Sequence, residues 1–229
     1  MQTETQMRKQ IHLTRHSRNY WRVTIDHPPL NIFGPDTIPQ LDEVITAVET
    51  DEDVKVIVFD SAVEGFFLTH YDFVAPVQNT TRLPPGLTGL QPLPDMLVRL
   101  SRAPAVSIAS IRGRATGVGS ELALACDMRF ASREKAILSH FEVGAGVVPG
   151  GGPMARCTRI VRGCGTFCVP ICVIMTLEVS RDFGFVVWWS DIVLARHRWL
   201  KTSETQHLLL QRKEDYNKVY NSVPARNGS

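Results

Sequence analysis

Apolar and polar positions fall in short blocks along the first two-thirds of the chain, and the blocks switch between two periods. Tyr20 to Asp26 alternates and is rich in Trp, Val and Ile, which predicts a strand. His27-Pro28-Pro29 ends it, because consecutive prolines cannot continue a ladder. From Asp36 to Thr50 the apolar residues fall at Ile38, Leu41, Val44, Ile45 and Val48. That spacing predicts a helical stripe, with Asp36 placed as its N-cap and Pro39 tolerated in the first turn. Val54 to Phe59 and Ala105 to Ile111 are continuous apolar runs of the buried-strand kind. Thr80 to Pro94 is rich in Pro, Gly and Thr and reads as a loop, followed by a helix over Pro94 to Ser101. Gly113 to Gly119 is a glycine-bearing turn, and Ser120 to Cys126 a largely buried helix with Ser120 as cap. Met128 to Ala131 and Ala136 to Ser139 predict short strands. Strands alternating with helices imply an α/β layered fold with parallel pairing.

This pattern stops near Gly163. Gly165 to Trp189 mixes Cys, Pro, Val and paired Trp188-Trp189 without a period, and Thr202 to Ser229 is polar. The domain expectation is therefore a polar N-terminal extension over 1–18, a core over 19–163 and a divergent region over 164–229. The abrupt change resembles an altered reading frame, which a transcript spanning codons 155 to 175 tests.

Composition adds bounds. At 229 residues with 44% hydrophobic and 21% charged residues, the chain is sized for one globular domain with a buried core. A formal charge of +2 gives no pull toward nucleic acid or membrane. Five cysteines, all in the second half, do not read as a secreted disulfide framework. Met1 to Arg18 lacks the apolar stretch of a secretory signal. The longest apolar run, Phe167 to Leu177, is too short for a bilayer and is broken by Pro170. Together these imply a cytoplasmic protein, with mitochondrial and peroxisomal locations as alternatives.

Candidate chemistry gathers at the strand-to-helix turn. Glycines at 113, 117 and 119 let backbone amides face a ligand, and a helix N-terminus adds positive potential. Such amides can hold a developing oxyanion, although the same turn also serves as a plain connection. It is not a dinucleotide fingerprint, since position 122 is Leu. Glu121 follows in the first helical turn among apolar neighbours; a buried carboxyl there has a raised pKa suited to acid/base work. Glu142 precedes the turn Pro149-Gly150-Gly151-Gly152-Pro153. His70, in Phe66 to Phe73, reads as a surface or structural histidine. Cys164, Cys168 and Cys172 share a helical spacing but not the tighter pairs of a zinc site, so no metal is expected.

These segments, in this order, resemble the crotonase (enoyl-CoA hydratase/isomerase) superfamily from about Trp21 to Gly163. His27-Pro28-Pro29-Leu30-Asn31 is similar to the family's early Pro-Leu-Asn turn. Phe67 to Phe73 looks like the first oxyanion loop, and Ile111 to Asp127 like the second with its helix. Glu142 to Gly152 is similar to the family's glutamate followed by a Pro-Gly-x-Gly turn. The resemblance implies a ββα superhelix core with an atypical C-terminal region. It implies Glu121 and Glu142 as the acid/base pair and the backbone N–H groups of Tyr71 and Val118 as oxyanion donors. Thr69, which falls in the stretch lining the adenine of coenzyme A, joins His70, Asp72, Gly117, Gly119 and Gly150 as the substrate-binding set. The implied reaction is hydration of an enoyl-CoA, with isomerase or other crotonase chemistry, or a catalytically inactive coenzyme A-binding protein, as alternatives. The implied substrate is an acyl-CoA thioester, with no separate cofactor, nucleic acid or membrane partner, and a homotrimer or hexamer as the assembly. Two departures stand out: Thr69-His70 replaces the usual Ala-Gly, which narrows the site or shifts the Tyr71 amide, and Arg112 stands where the family often has asparagine.

Overall fold

The computed structural model describes residues 8–76, 78–140, 142, 148–153, 155–156 and 187–188. The expectations for Cys164, Cys168, Cys172 and the run Phe167 to Leu177 lie outside them. Among the described residues, no helix is long and apolar enough to cross a membrane, and no cluster of three metal-ligating side chains occurs.

Two sheets are wound by one repeating unit. The larger runs β1 (Ile11–Arg15), β2 (Tyr20–Ile25), β3 (Val56–Ser61), β5 (Val106–Ile111), β7 (Met128–Ala131) and β9 (Val187–Trp188), in that order. Among the described residues, only the β1–β2 pair of this sheet is antiparallel. The smaller sheet is β4 (Phe66–Leu68), β6 (Arg114–Thr116) and β8 (Ile137–Ser139), all parallel. The chain enters the large sheet, steps into the small one, and returns through a helix, so β3–β4–α3 (Pro92–Arg102) is followed by β5–β6–α4 (Val118–Ala125) and then β7–β8. Each winding is a ββα turn, and parallel pairing is what such crossovers require. Helix α1 (Thr37–Thr50) makes the earlier crossover from β2 to β3.

Strand alternation explains the layering. In β3, Val56 and Val58 face one side while Ile57 and Phe59 join the main core on the other. In β5, Val106 and Ile108 face the first side, and Ala109 and Ile111 the second. With both faces buried, these strands show the continuous apolar runs seen in the sequence. The α1 stripe is buried at every expected position.

The boundaries differ where side chains misled. Residues 11–15, inside the stretch read as a polar extension, form an edge strand paired with β2. Asp36 occupies the N-cap position of α1 without a capping bond; Thr37 Oγ1 instead accepts the Gly34 N–H. Helix α4 starts at Val118 after Gly117, so Ser120 is a buried first-turn residue and not a cap. Part of the expected loop is helical, as α2 (Gln78–Thr81).

Helices α1 and α3 are tied by one cation. Arg99 is 6% exposed, and its guanidinium donates to Asp42, Thr46 and Glu49, which share one face of α1. Its own helix supplies Asp95 one turn earlier. A buried group with that many partners is destabilising to remove, because the acids lose their counter-charge in a partly dry setting. Arg99→Met is expected to lower unfolding free energy by about 2–4 kcal/mol at neutral pH, and by less at about pH 3, as carboxylates in general begin to take up protons. Equal losses at both pH values in urea titrations would contradict an ionic origin.

Candidate active site

The site lies where β4 ends, α4 begins and the glycine turn at 150–152 approaches. The stretch after β4 is held from one side. Asn31, fully buried, donates from Nδ2 to the Phe67 carbonyl and to Ser61 Oγ, while its carbonyl accepts the Thr69 N–H. Phe33 then donates its N–H to the His70 carbonyl and accepts the Asp72 N–H. In this parallel bridge, Tyr71 stands between the two bonded groups, so its own N–H points to the opposite side. The Tyr71 hydroxyl bonds the Thr80 hydroxyl on α2, which fixes the ring from the other end.

The second edge is the start of α4. Gly119 donates its N–H to the Thr69 carbonyl at 3.2 Å, and a Cβ on Gly119 would overlap the Leu68 carbonyl. Only glycine permits this close approach of helix to strand. Gly117 spends its N–H on the Ser139 carbonyl at 2.9 Å. Val118, the first helical residue, has no intrahelical acceptor for its N–H. Among the described residues, neither the Tyr71 nor the Val118 amide has an acceptor. These are the two amides proposed above as oxyanion donors.

Glu121 projects from the first turn of α4 and is 1% exposed. Its Oε1 accepts the Gly151 N–H at 2.7 Å. A Cβ on Gly151 would overlap the Glu121 carboxyl and come within 2.8 Å of Leu97 on α3, so a larger residue here would displace that carboxyl. Burial pushes the Glu121 carboxyl up to about 7; the Gly151 amide opposes this, the Glu142 charge adds to it, and Arg156 opposes it. Glu142 is 9% exposed, and its Oε2 is buried without a hydrogen-bond partner among the described residues. Burial also raises its pKa, against its own backbone amide and the nearby His70. The Glu142 charge thus acts on the buried Glu121 carboxyl, so ionising both costs more than ionising one.

The other expected residues have definite places. Thr69 is buried, and its hydroxyl is engaged with the Leu30 and Asn31 carbonyls. The His70 ring stacks on Phe73 at 5.6 Å, with Nδ1 2.8 Å from the Tyr71 carbonyl. Asp72 caps the next turn by accepting the Val74 and Ala75 N–H groups. Gly150 is exposed, with open space around it. Arg112 donates to buried Asp60 and to the Ser61 carbonyl, and Asp60 also pairs with Arg22. The sequence reading did not single out Arg156, Leu97 or Asn31 as site supports.

Because the folded carboxyl of Glu121 titrates above its ordinary 4.5, stability linked to its neutral form is complete below that value and is lost as pH rises through about 7. Glu121→Gln keeps the acceptor for Gly151 and removes the buried charge. It is expected to stabilise the fold by up to about 3 kcal/mol at about pH 8 and by little at about pH 4.5. Denaturant unfolding at both pH values checks this; a variant no more stable at the higher pH would contradict it.

With that geometry in place, comparison with known proteins is informative. The family model described as enoyl-CoA hydratase/isomerase matches residues 15–165. Enoyl-CoA hydratase domain-containing protein 2, mitochondrial, of Bos taurus is 33% identical over 131 residues, covering 56% of this chain and 43% of its own length. Short-chain-enoyl-CoA hydratase of Clostridium acetobutylicum is 32% identical over 143 residues, covering 61% of this chain and 52% of its own length. The chain thus spans about half the length of the curated relatives it matches. The crystal structure of a candidate enoyl-CoA hydratase from Streptomyces avermitilis superimposes with a TM-score of 0.79 at 32% identity, over 95% of this chain and 80% of that one.

Proposed function

The chain belongs to the enoyl-CoA hydratase/isomerase family, and on that premise we propose that it adds water across the double bond of an enoyl-CoA thioester. Glu121 and Glu142 act as the acid/base pair. The reading is carried by one observation: both glutamates are buried, and the carboxyl of Glu121 is held by the Gly151 amide of the glycine turn.

The chemistry follows from those groups. The thioester carbonyl oxygen sits between the Tyr71 and Val118 amides, neither of which has a competing acceptor among the described residues. One carboxylate takes a proton from water as its oxygen bonds to C3. The π electrons move onto C2 and the carbonyl oxygen, giving an enolate whose charge the amides stabilise. Loss of one such donor typically removes about 3–4 kcal/mol of transition-state stabilisation. The other carboxyl, protonated, then delivers its proton to C2. The reaction therefore needs one ionised and one neutral carboxyl together, the state that close, buried acids adopt. Coenzyme A enters as part of the substrate, with no separate cofactor. Assembly as a trimer or hexamer is the corresponding proposal for the whole protein.

A second reading, a chain that binds coenzyme A without turnover, is favoured by Thr69 and His70 standing where the family has two small residues. Purified protein with crotonyl-CoA separates the two. Hydration is expected, and Glu121→Gln and Glu142→Gln should each lower kcat by about 10²–10⁴-fold while calorimetric coenzyme A affinity changes little. Binding without turnover in the parent chain would select the second reading. Undiminished turnover in Glu121→Gln would remove that residue from the mechanism.

A further inference from the structure

The turn that holds Glu121 cannot hold itself. Gly150, Gly151 and Gly152 are consecutive, carry no side chains, and lose more conformational freedom on ordering than any other residues. The Gly151 amide must nonetheless stay on Glu121 Oε1, since that 2.7 Å bond is the carboxyl's one hydrogen bond among the described residues. Something outside the triplet has to fix it.

Arg156 meets the turn twice. Its backbone N–H donates to the Gly152 carbonyl at 3.4 Å, and its guanidinium Nη1 donates to the Gly151 carbonyl. Gly151 is therefore gripped on both sides of its Cα: the carbonyl by Arg156, the N–H by Glu121. The same guanidinium lies close enough to Glu121 to act on it electrostatically. We propose that Arg156 is a positioning residue for Glu121: it locks the triple-glycine turn so that the Gly151 amide stays on the carboxyl, and it lends that carboxyl a positive charge. Its catalytic meaning rests on the acid/base reading of Glu121 given above.

The groups acting on Glu121 oppose each other. Burial and the Glu142 charge favour its neutral form; the Gly151 amide and Arg156 favour its anion. His70 acts on Glu142, the other half of the pair. From α3, the contact beside Gly151 is the uncharged Leu97. Both anion-favouring groups therefore depend on Arg156, one directly and one through the turn. Removing Arg156 should raise the carboxyl's titration midpoint and loosen its placement, whereas a purely structural arginine would change stability alone.

The test is a carboxyl titration by carbon NMR on the full chain with labelled glutamate, with the Glu121 signal identified by its loss in Glu121→Gln. In Arg156→Met, the Glu121 midpoint should move above about 7, and with crotonyl-CoA kcat should fall by about 10–100-fold with a smaller change in KM. Arg156→Lys, which restores a cation and a donor, should return the midpoint most of the way. An unmoved midpoint in Arg156→Met overturns the proposal. If that variant does not fold, Arg156→Gln, which keeps a donor without the charge, takes its place: its midpoint should also rise, and an unmoved one overturns the proposal. The titration needs no turnover, so a parent chain that fails to hydrate crotonyl-CoA removes the proposed reaction while the midpoint still decides the Arg156 link.

Discussion

Two buried carboxyl side chains, one acting electrostatically on the other, impose the constraint on which the account of this molecule depends. An ionised carboxylate in a dry interior must gain hydrogen bonds, find a counter-charge, or take up a proton. Glu121 does some of each: it accepts the Gly151 amide, feels Arg156, and still titrates at about 7 because burial outweighs both. Glu142 is opposed in its turn by its own backbone amide and His70, and one of its oxygens lacks a partner among the described residues. On the proposed reading, the difference between the two surroundings lets one group hold a proton while the other gives one up.

The fold serves that constraint by bringing distant backbone together at close range. The ββα winding sets the end of β4 against the start of α4, and Gly119 removes the only atom that would keep them apart. The parallel bridge between Phe33 and Tyr71 turns one amide of the first loop away from its neighbour strand. Helix geometry leaves the Val118 amide open by the same logic, since a first-turn N–H has no earlier carbonyl to bond. The two proposed oxyanion donors are thus by-products of regular secondary structure held in place by Asn31, Phe33 and Gly119. Further out, Arg99 fastens α3 to α1, and α3 in turn supplies Leu97 against the glycine turn.

Much of this was legible in the residues. Alternation located β2, continuous apolar runs located β3 and β5, and a 3.6-residue stripe located α1, because each buries extended apolar surface. Of the small sheet, β8 was legible in the expected strand Ala136 to Ser139, whereas β4 and β6 were not, because they have three residues each and are defined by pairing across the winding and not by local pattern. Strand β1 was hidden by His12, Thr14 and Arg15, polar side chains on an edge strand. The start of α4 was misplaced because Ser120 looks like a cap, while Gly117 adopts a φ of 55° and makes the turn earlier. At the site, Glu121 could be picked out from its apolar neighbours and Glu142 only through resemblance. Arg156 carried no local mark, since its role comes from a carbonyl five residues back.

The most direct test of the central claim is the pH dependence of kcat for crotonyl-CoA hydration by the parent chain. A buried pair that works with one proton between two carboxyls predicts a bell-shaped profile with its maximum near neutrality, falling when both groups are protonated and again when both are ionised. A rate that is flat from about pH 5 to about pH 9, or that rises steadily into alkali, would contradict the shared-proton account.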